Sequence, residues 1–202
     1  MRIQLTGIAL LACTTLAACG SSGSSGGGSG SLSLAEANNI VSQYNAIEDA
    51  LESGDATLAT DATGEVSMSG YMGFGVDETE DSYTEALGEL SMDVDFDNGT
   101  VSGTAQNFAL YEANDDDGYS SKDSDLDGML AVDGTISSAV IDASVTGTLS
   151  DGEGSGTVDF VMEGGVFEQD DELMAIGDVD GLITFDDEST FESSGGFYAR
   201  ED

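Results

Sequence analysis

The sequence predicts a mainly β protein: an eight-stranded antiparallel up-and-down β-barrel preceded by one amphipathic α-helix. Three observations predict it. After residue 61 apolar residues recur at every second position, the period of a half-buried strand. Turn-forming pairs such as Asn98-Gly99, Asp133-Gly134 and Asp151-Gly152 punctuate these runs and suit tight antiparallel connections, because Gly accepts positive φ and Asn or Asp tolerates it. The runs number eight, and a meander of eight strands closes into a barrel whose interior side chains just fill it, with no exposed edge.

The chain begins with a leader, residues 1–18. One cation at Arg2 precedes an apolar stretch from Ile8 to Leu16, and small residues then lead to Cys19. The stretch falls short of the roughly 20 apolar residues that cross a bilayer, so it reads as a cleaved signal rather than a span. Leu16-Ala17-Ala18-Cys19 is the layout of a bacterial lipoprotein signal, with Cys19 as the residue that would carry lipid; the alternative is an ordinary secretory signal with an incidental cysteine. Each buried acyl methylene contributes about 0.8 kcal/mol, so several chains on one cysteine anchor stably. Cys13 departs with the leader, which leaves no disulfide in the mature chain. Gly20, rather than Asp, after the cysteine points to the outer membrane by analogy with enteric sorting rules. From Gly20 to Ser31 every residue is Gly or Ser, a flexible tether with a reach of about 20 Å.

Residues 32–62 are predicted to form the helix and a linker. Ser33 with Glu36 three positions on is a capping box, and Gly54 is the stop, giving a helix over about Leu34 to Ser53. Leu34, Ala37, Ile40, Val41, Tyr44, Ile47 and Leu51 recur at helical spacing and require burial. An acidic helix gains nothing from anionic lipid, so packing against the following domain is expected.

The barrel occupies residues 63–202. Its strands are predicted at about 64–76, 86–97, 100–112, 127–133, 135–149, 156–168, 172–186 and 190–199. Leu90, Met92, Val94 and Phe96 alternating with Glu89, Ser91, Asp93 and Asp95 is the clearest case; Val66 to Val76, Ala139 to Val145 and Val158 to Met162 repeat it. Strand glycines such as Gly70, Gly103, Gly147 and Gly181 fit the bends of a small barrel. The outward row is acidic, which excludes a lipid-facing transmembrane barrel.

Val94-Asp95-Phe96-Asp97-Asn98-Gly99-Thr100-Val101-Ser102-Gly103-Thr104-Ala105, Gly165-Val166-Phe167 ahead of Ala175 and Gly177, and the closing Gly195-Gly196-Phe197-Tyr198-Ala199 together resemble the eight-stranded barrel lipoproteins of the transferrin-binding protein B family. The chain is more closely similar to small single-barrel alphaproteobacterial relatives with a helix before the barrel. The resemblance covers about residues 33 to 202 and implies an outer-membrane lipoprotein that presents loops outward; in the large receptors such loops grip a host iron-carrier. This chain has one barrel rather than two lobes, no handle domain, and Glu168 where a glycine often follows the aromatic. No host-ligand contact is carried over.

Of 202 residues 41 are Asp or Glu and 3 are Lys or Arg, a formal net charge of −38. Few salt bridges can form, self-repulsion must be relieved by counter-ions, and nucleic acid is excluded as a partner. Yet 39% of the residues are apolar and patterned, which argues for folding over disorder. The chain has no histidine and, after lipidation, no thiol, so nucleophilic triads and His-metal centres are excluded; chance pairing of abundant acids does not mark a glycosidase, and no enzyme is expected. Asp123, Asp125 and Asp127, followed by Gly128, have the opening spacing of a calcium loop. The twelfth position, Gly134, lacks the bidentate Glu, which leaves calcium the one cofactor with any sequence support and loose cation condensation its alternative. Tyr111 and Tyr119, the latter in a long acidic loop from Asn114, are candidates for a contact surface. The expected function is a monomeric, lipid-anchored envelope protein that binds a solute or protein through its loops; the alternative is a structural or cation-buffering protein with no specific ligand.

Overall fold

The computed structural model describes residues 31–78, 83–114 and 118–202; the leader, Cys19 and the tether up to Gly30 lie outside them. One helix, α1 (Leu34–Ser53), precedes ten strands: β1 (Thr57–Leu58), β2 (Glu65–Glu78), β3 (Tyr83–Asp95), β4 (Thr100–Asn114), β5 (Gly118–Asp125), β6 (Asp127–Ser137), β7 (Val140–Ser150), β8 (Ser155–Gln169), β9 (Glu172–Phe185) and β10 (Thr190–Glu201). Every pairing is antiparallel, and the sheet closes in the cyclic order β2-β3-β4-β6-β7-β8-β9-β10, with β10 returning to β2. This is the eight-stranded barrel the two-residue rhythm predicts. The two additional strands are short. β5 prolongs the line of β6 along the upper half of β4, and β1 pairs with β8 at Phe167 and Glu168, beyond the end of β7.

The interior is filled by alternate residues of all eight strands, among them Met68, Met72, Leu90, Val132, Val145, Met162 and Val179. Phe74, Phe108 and Phe160 cross the centre, with Phe74 edge-on to Phe160 at a centroid separation of 4.9 Å and 5.7 Å from Phe108. The ring of Phe108 lies where a side chain on Gly88 would stand. It reaches that place through a bulge in β4, where Asn107 adopts φ 57 and Gly88 opposes two residues instead of one. Asn107 Nδ2 donates to Glu89 Oε2 at 2.6 Å, which ties the bulge to β3.

One turn differs from expectation. Asp133-Gly134 is not a hairpin but lies inside β6, where Gly134 pairs with Val101 and Ala143; a Cβ there would fall 2.4 Å from Ala143 Cα, so this glycine serves close strand approach. The turn falls instead at Ser138-Ala139, with φ 52 and 63. Asp170-Asp171 makes the same two-residue turn, with φ 55 and 69. Of the acidic segment after Asn114, expected as a loop, residues 115–117 lie outside the described residues and Gly118–Asp125 form β5.

α1 begins and ends as predicted. The Ser33 side chain accepts from the Glu36 amide, Glu36 Oε2 accepts from the Ser33 amide at 2.9 Å, and Gly54 closes the helix at φ 79. The helix runs outside the barrel, along its length. Ala37, Ile40 and Ile47 join Leu87, Tyr111, Tyr119, Met174, Ile176 and Tyr198 of the outer wall in a second apolar cluster. Asn38 bridges its flank, donating to the Tyr119 carbonyl at 3.0 Å and accepting from the Tyr119 amide at 2.7 Å. The linker then crosses the lower end, where the Ala59 amide donates to the Val166 carbonyl at 3.0 Å. Buried Ala59 and half-buried Ala62 stopper that end.

All six tyrosines of the chain lie at this seam between helix and wall. Burial pushes the phenols of Tyr44 and Tyr111 up to about 12 and also raises those of Tyr71, Tyr119 and Tyr198. A phenol whose folded value exceeds its unfolded value of about 10 contributes stability that is complete below that value and lost as pH rises through the folded one. Alkaline titration is therefore expected to release the helix from the wall. Tyrosinate absorbance should appear later than in free tyrosine and together with loss of helical dichroism; titration at the free-tyrosine position with the helix intact would contradict this packing.

Candidate functional site: the open mouth of the barrel

The two ends of the barrel are unlike. The lower end carries the loop 96–99, the turns 138–139 and 170–171, and the linker stopper. The upper end is a cavity of about 710 Å³. Phe74 forms part of its floor, and Leu110, Leu126, Leu149, Ile183 and Phe191 wall it. These belong to the interior row near its upper end, and among the described residues no chain is laid across them. The collar around them is acidic: Asp123, Asp151, Glu153, Asp186 and Asp187.

Three of the collar acids are held by the two hairpin loops. Asp151 Oδ1 accepts from the amides of Glu153 at 2.9 Å and Gly154 at 3.0 Å, which lowers its carboxyl from the ordinary value. Asp187 Oδ1 accepts from the Ser189 hydroxyl at 2.5 Å and the Ser189 amide at 3.0 Å, and its carboxyl is lowered for the same reason, the hydroxyl first. Asp186 joins the two hairpins by accepting from the Ser155 amide at 2.9 Å and the Ser155 hydroxyl at 2.7 Å. Negative charge is thus fixed at the rim while the walls beneath stay apolar. Such a cavity can take an apolar body and leave a cationic or polar head at the collar.

The calcium spacing has another origin. Asp123 and Asp125 lie in β5 and Asp127 opens β6, so their alternation is that of an extended strand. The β4–β5 register is bulged between them, Ala109 pairing with Asp125 but Tyr111 with Lys122. Asp123 lines the mouth, while Asp125 meets Lys122 Nζ at 2.6 Å and accepts from the hydroxyl of Ser31; those two contacts, Lys122 first, lower its carboxyl. Asp127 pairs through its backbone with Ser150. Among the described residues no three carboxylates converge on a point that could hold a metal ion. Tyr111 and Tyr119 are not a free contact surface either. Both are buried under α1, with ring centroids 5.0 Å apart, the Tyr111 hydroxyl donating to the Leu32 carbonyl at 2.6 Å.

Sequence reasoning missed the mouth, although a signal for it exists. In an up-and-down meander every second loop shares one end, which places Asp151 and Glu153 beside Asp186 and Asp187. No family model, curated protein or solved structure matches the chain, so its function is argued from its own residues.

Proposed function

We propose that this chain is a lipid-anchored outer-membrane protein, carried on Cys19, that captures a small amphipathic solute in the open end of its barrel without transforming it. The observation that carries this reading is the mouth itself, an apolar-walled cavity beneath a fixed acidic collar at one end of an otherwise filled barrel. The Leu-Ala-Ala-Cys signal, the Gly/Ser tether and the resemblance to transferrin-binding protein B-type barrels support the address. The collar favours a solute with a cationic or neutral head over an anionic one.

Nile red, a neutral probe whose emission reports an apolar site, tests the cavity. Saturable binding is expected, weakened roughly tenfold or more, about 1.4 kcal/mol, in Leu110→Trp, which fills the half-buried wall of the mouth. Equal binding by that variant, with the barrel still folded, would defeat the capture reading and favour a structural acidic envelope protein. Labelled palmitate should be incorporated in a bacterial host and lost in Cys19→Ser.

A further inference from the structure

The geometry points to a second binding site, on the outer wall rather than in the mouth: a tyrosine-lined cleft beneath α1 that takes a quaternary ammonium ion. The cleft encloses about 330 Å³, within the range of small-ligand pockets. Five of the six tyrosines line it, Tyr44 from the helix and Tyr71, Tyr83, Tyr119 and Tyr198 from the wall. The sixth, Tyr111, backs Tyr119. Tyrosines that served only as amphipathic packing would fill the seam; here they surround a space.

Glycines keep that space open. Gly73 and Gly196 lie along the wall where side chains would otherwise stand; a Cβ on Gly73 would come to 3.3 Å from Leu87 Cδ1 and one on Gly196 to 3.0 Å from the Tyr44 hydroxyl. The rings are inclined to one another, Tyr44 to Tyr198 by 59° at 6.4 Å and Tyr71 to Tyr198 by 52° at 5.8 Å. No face-to-face stacking within these pairs consumes the π surfaces.

The charge of the cleft selects its occupant. Among the described residues that line it Glu85 is the one charged residue, and its carboxylate accepts from the Tyr119 hydroxyl at 2.7 Å. Lys122 is engaged with Asp125. A cation therefore gains both the ring quadrupoles and the carboxylate. A bare metal ion would need several oxygen ligands, which one carboxylate and the phenols of a half-apolar cleft do not supply. A primary ammonium would need several acceptors for its N–H groups. An N-methylated cation donates no hydrogen bond and presents a diffuse positive surface, which is what tilted aromatic rings and a single carboxylate accommodate.

The chain contains no tryptophan, so its intrinsic emission comes from tyrosines that all stand at this seam. Choline titrated into the purified full chain, with sodium chloride lowered to hold ionic strength constant, is expected to change tyrosine emission saturably. Its neutral isostere, with carbon in place of nitrogen, should bind roughly tenfold more weakly, and Glu85→Gln and Tyr44→Leu should each weaken choline roughly fivefold while keeping the native circular dichroism. The mouth variant Leu110→Trp should leave the wild-type choline midpoint unchanged, read by calorimetry, which separates this site from the solute cavity. Equal binding of the isostere, an identical response to sodium, or unchanged affinity in both cleft variants would overturn the proposal.

Discussion

Replacing Phe160 by alanine is expected to destabilise the fold by about 3–5 kcal/mol. The ring is 1% exposed, sits at the centre of the barrel and meets Phe74 edge-on. Room for it exists because Gly181 opposes it on β9; a Cβ there would lie 2.8 Å from the ring. Eight hydrogen-bonded strands form a closed wall that cannot collapse inward to fill the void, so the cost should include the cavity as well as the lost transfer energy. Against a total of about 5–15 kcal/mol for a domain, this removes a large share. Urea unfolding followed by circular dichroism should show a lower midpoint with an unchanged slope. A loss below about 1 kcal/mol would mean that the interior is loosely filled.

Removing salt should have a comparable effect by a different route. Folding draws a net charge of −38 onto one compact surface, and among the described residues the one ion pair is Lys122 with exposed Asp125. Repulsion therefore opposes folding with little internal compensation, and the Debye length, about 30 Å at 0.01 M and about 3 Å at 1 M, decides how much of it acts. A gain of about 3 kcal/mol on moving to molar salt would raise Tm by roughly 6–12 °C for a domain of this size. Sodium and potassium chloride should act alike. Calcium should stabilise without a midpoint that Asp125→Ala or Asp127→Ala abolishes, because those carboxylates do not share a site. A flat dependence of Tm on ionic strength would contradict the account.

Legibility from sequence varied with how directly each residue pattern maps onto one environment. The helix was readable to its last residue because Ser33, Glu36 and Gly54 act within a turn of their own backbone. The strands were readable because one face of each meets the core and the other meets water. β5 was not: Tyr119 is its only buried residue, and its pairing with β4 depends on a partner far along the chain. The turn at Ser138-Ala139 was hidden because neither residue is a habitual left-handed one, whereas Gly134 imitates a turn while serving close strand approach.

The placement of the helix was the largest gap, yet the chain carries a sign of it. Ala86-Leu87, Phe108-Ala109, Met174-Ala175-Ile176 and Phe197-Tyr198 are consecutive buried residues that break strict alternation. A strand buried at successive positions has both faces covered. Here one cover is the barrel core and the other is α1. The mouth escaped notice for a topological reason: its walls come from the ends of strands well separated in sequence, and only closure of the sheet brings Leu110 and Ile183 to one opening.

The polypeptide joins the fold at its upper rim, where Ser31 bonds Asp125 and the Leu32 carbonyl takes the Tyr111 hydroxyl, whereas Asp202 bonds Ser67 near the stoppered base. Were Cys19 to carry lipid as proposed, the leash would join the barrel on the side of its mouth, and the base would lie on the opposite side. A label placed at Asp202 would therefore stand at the base, away from both the mouth and the start of the leash.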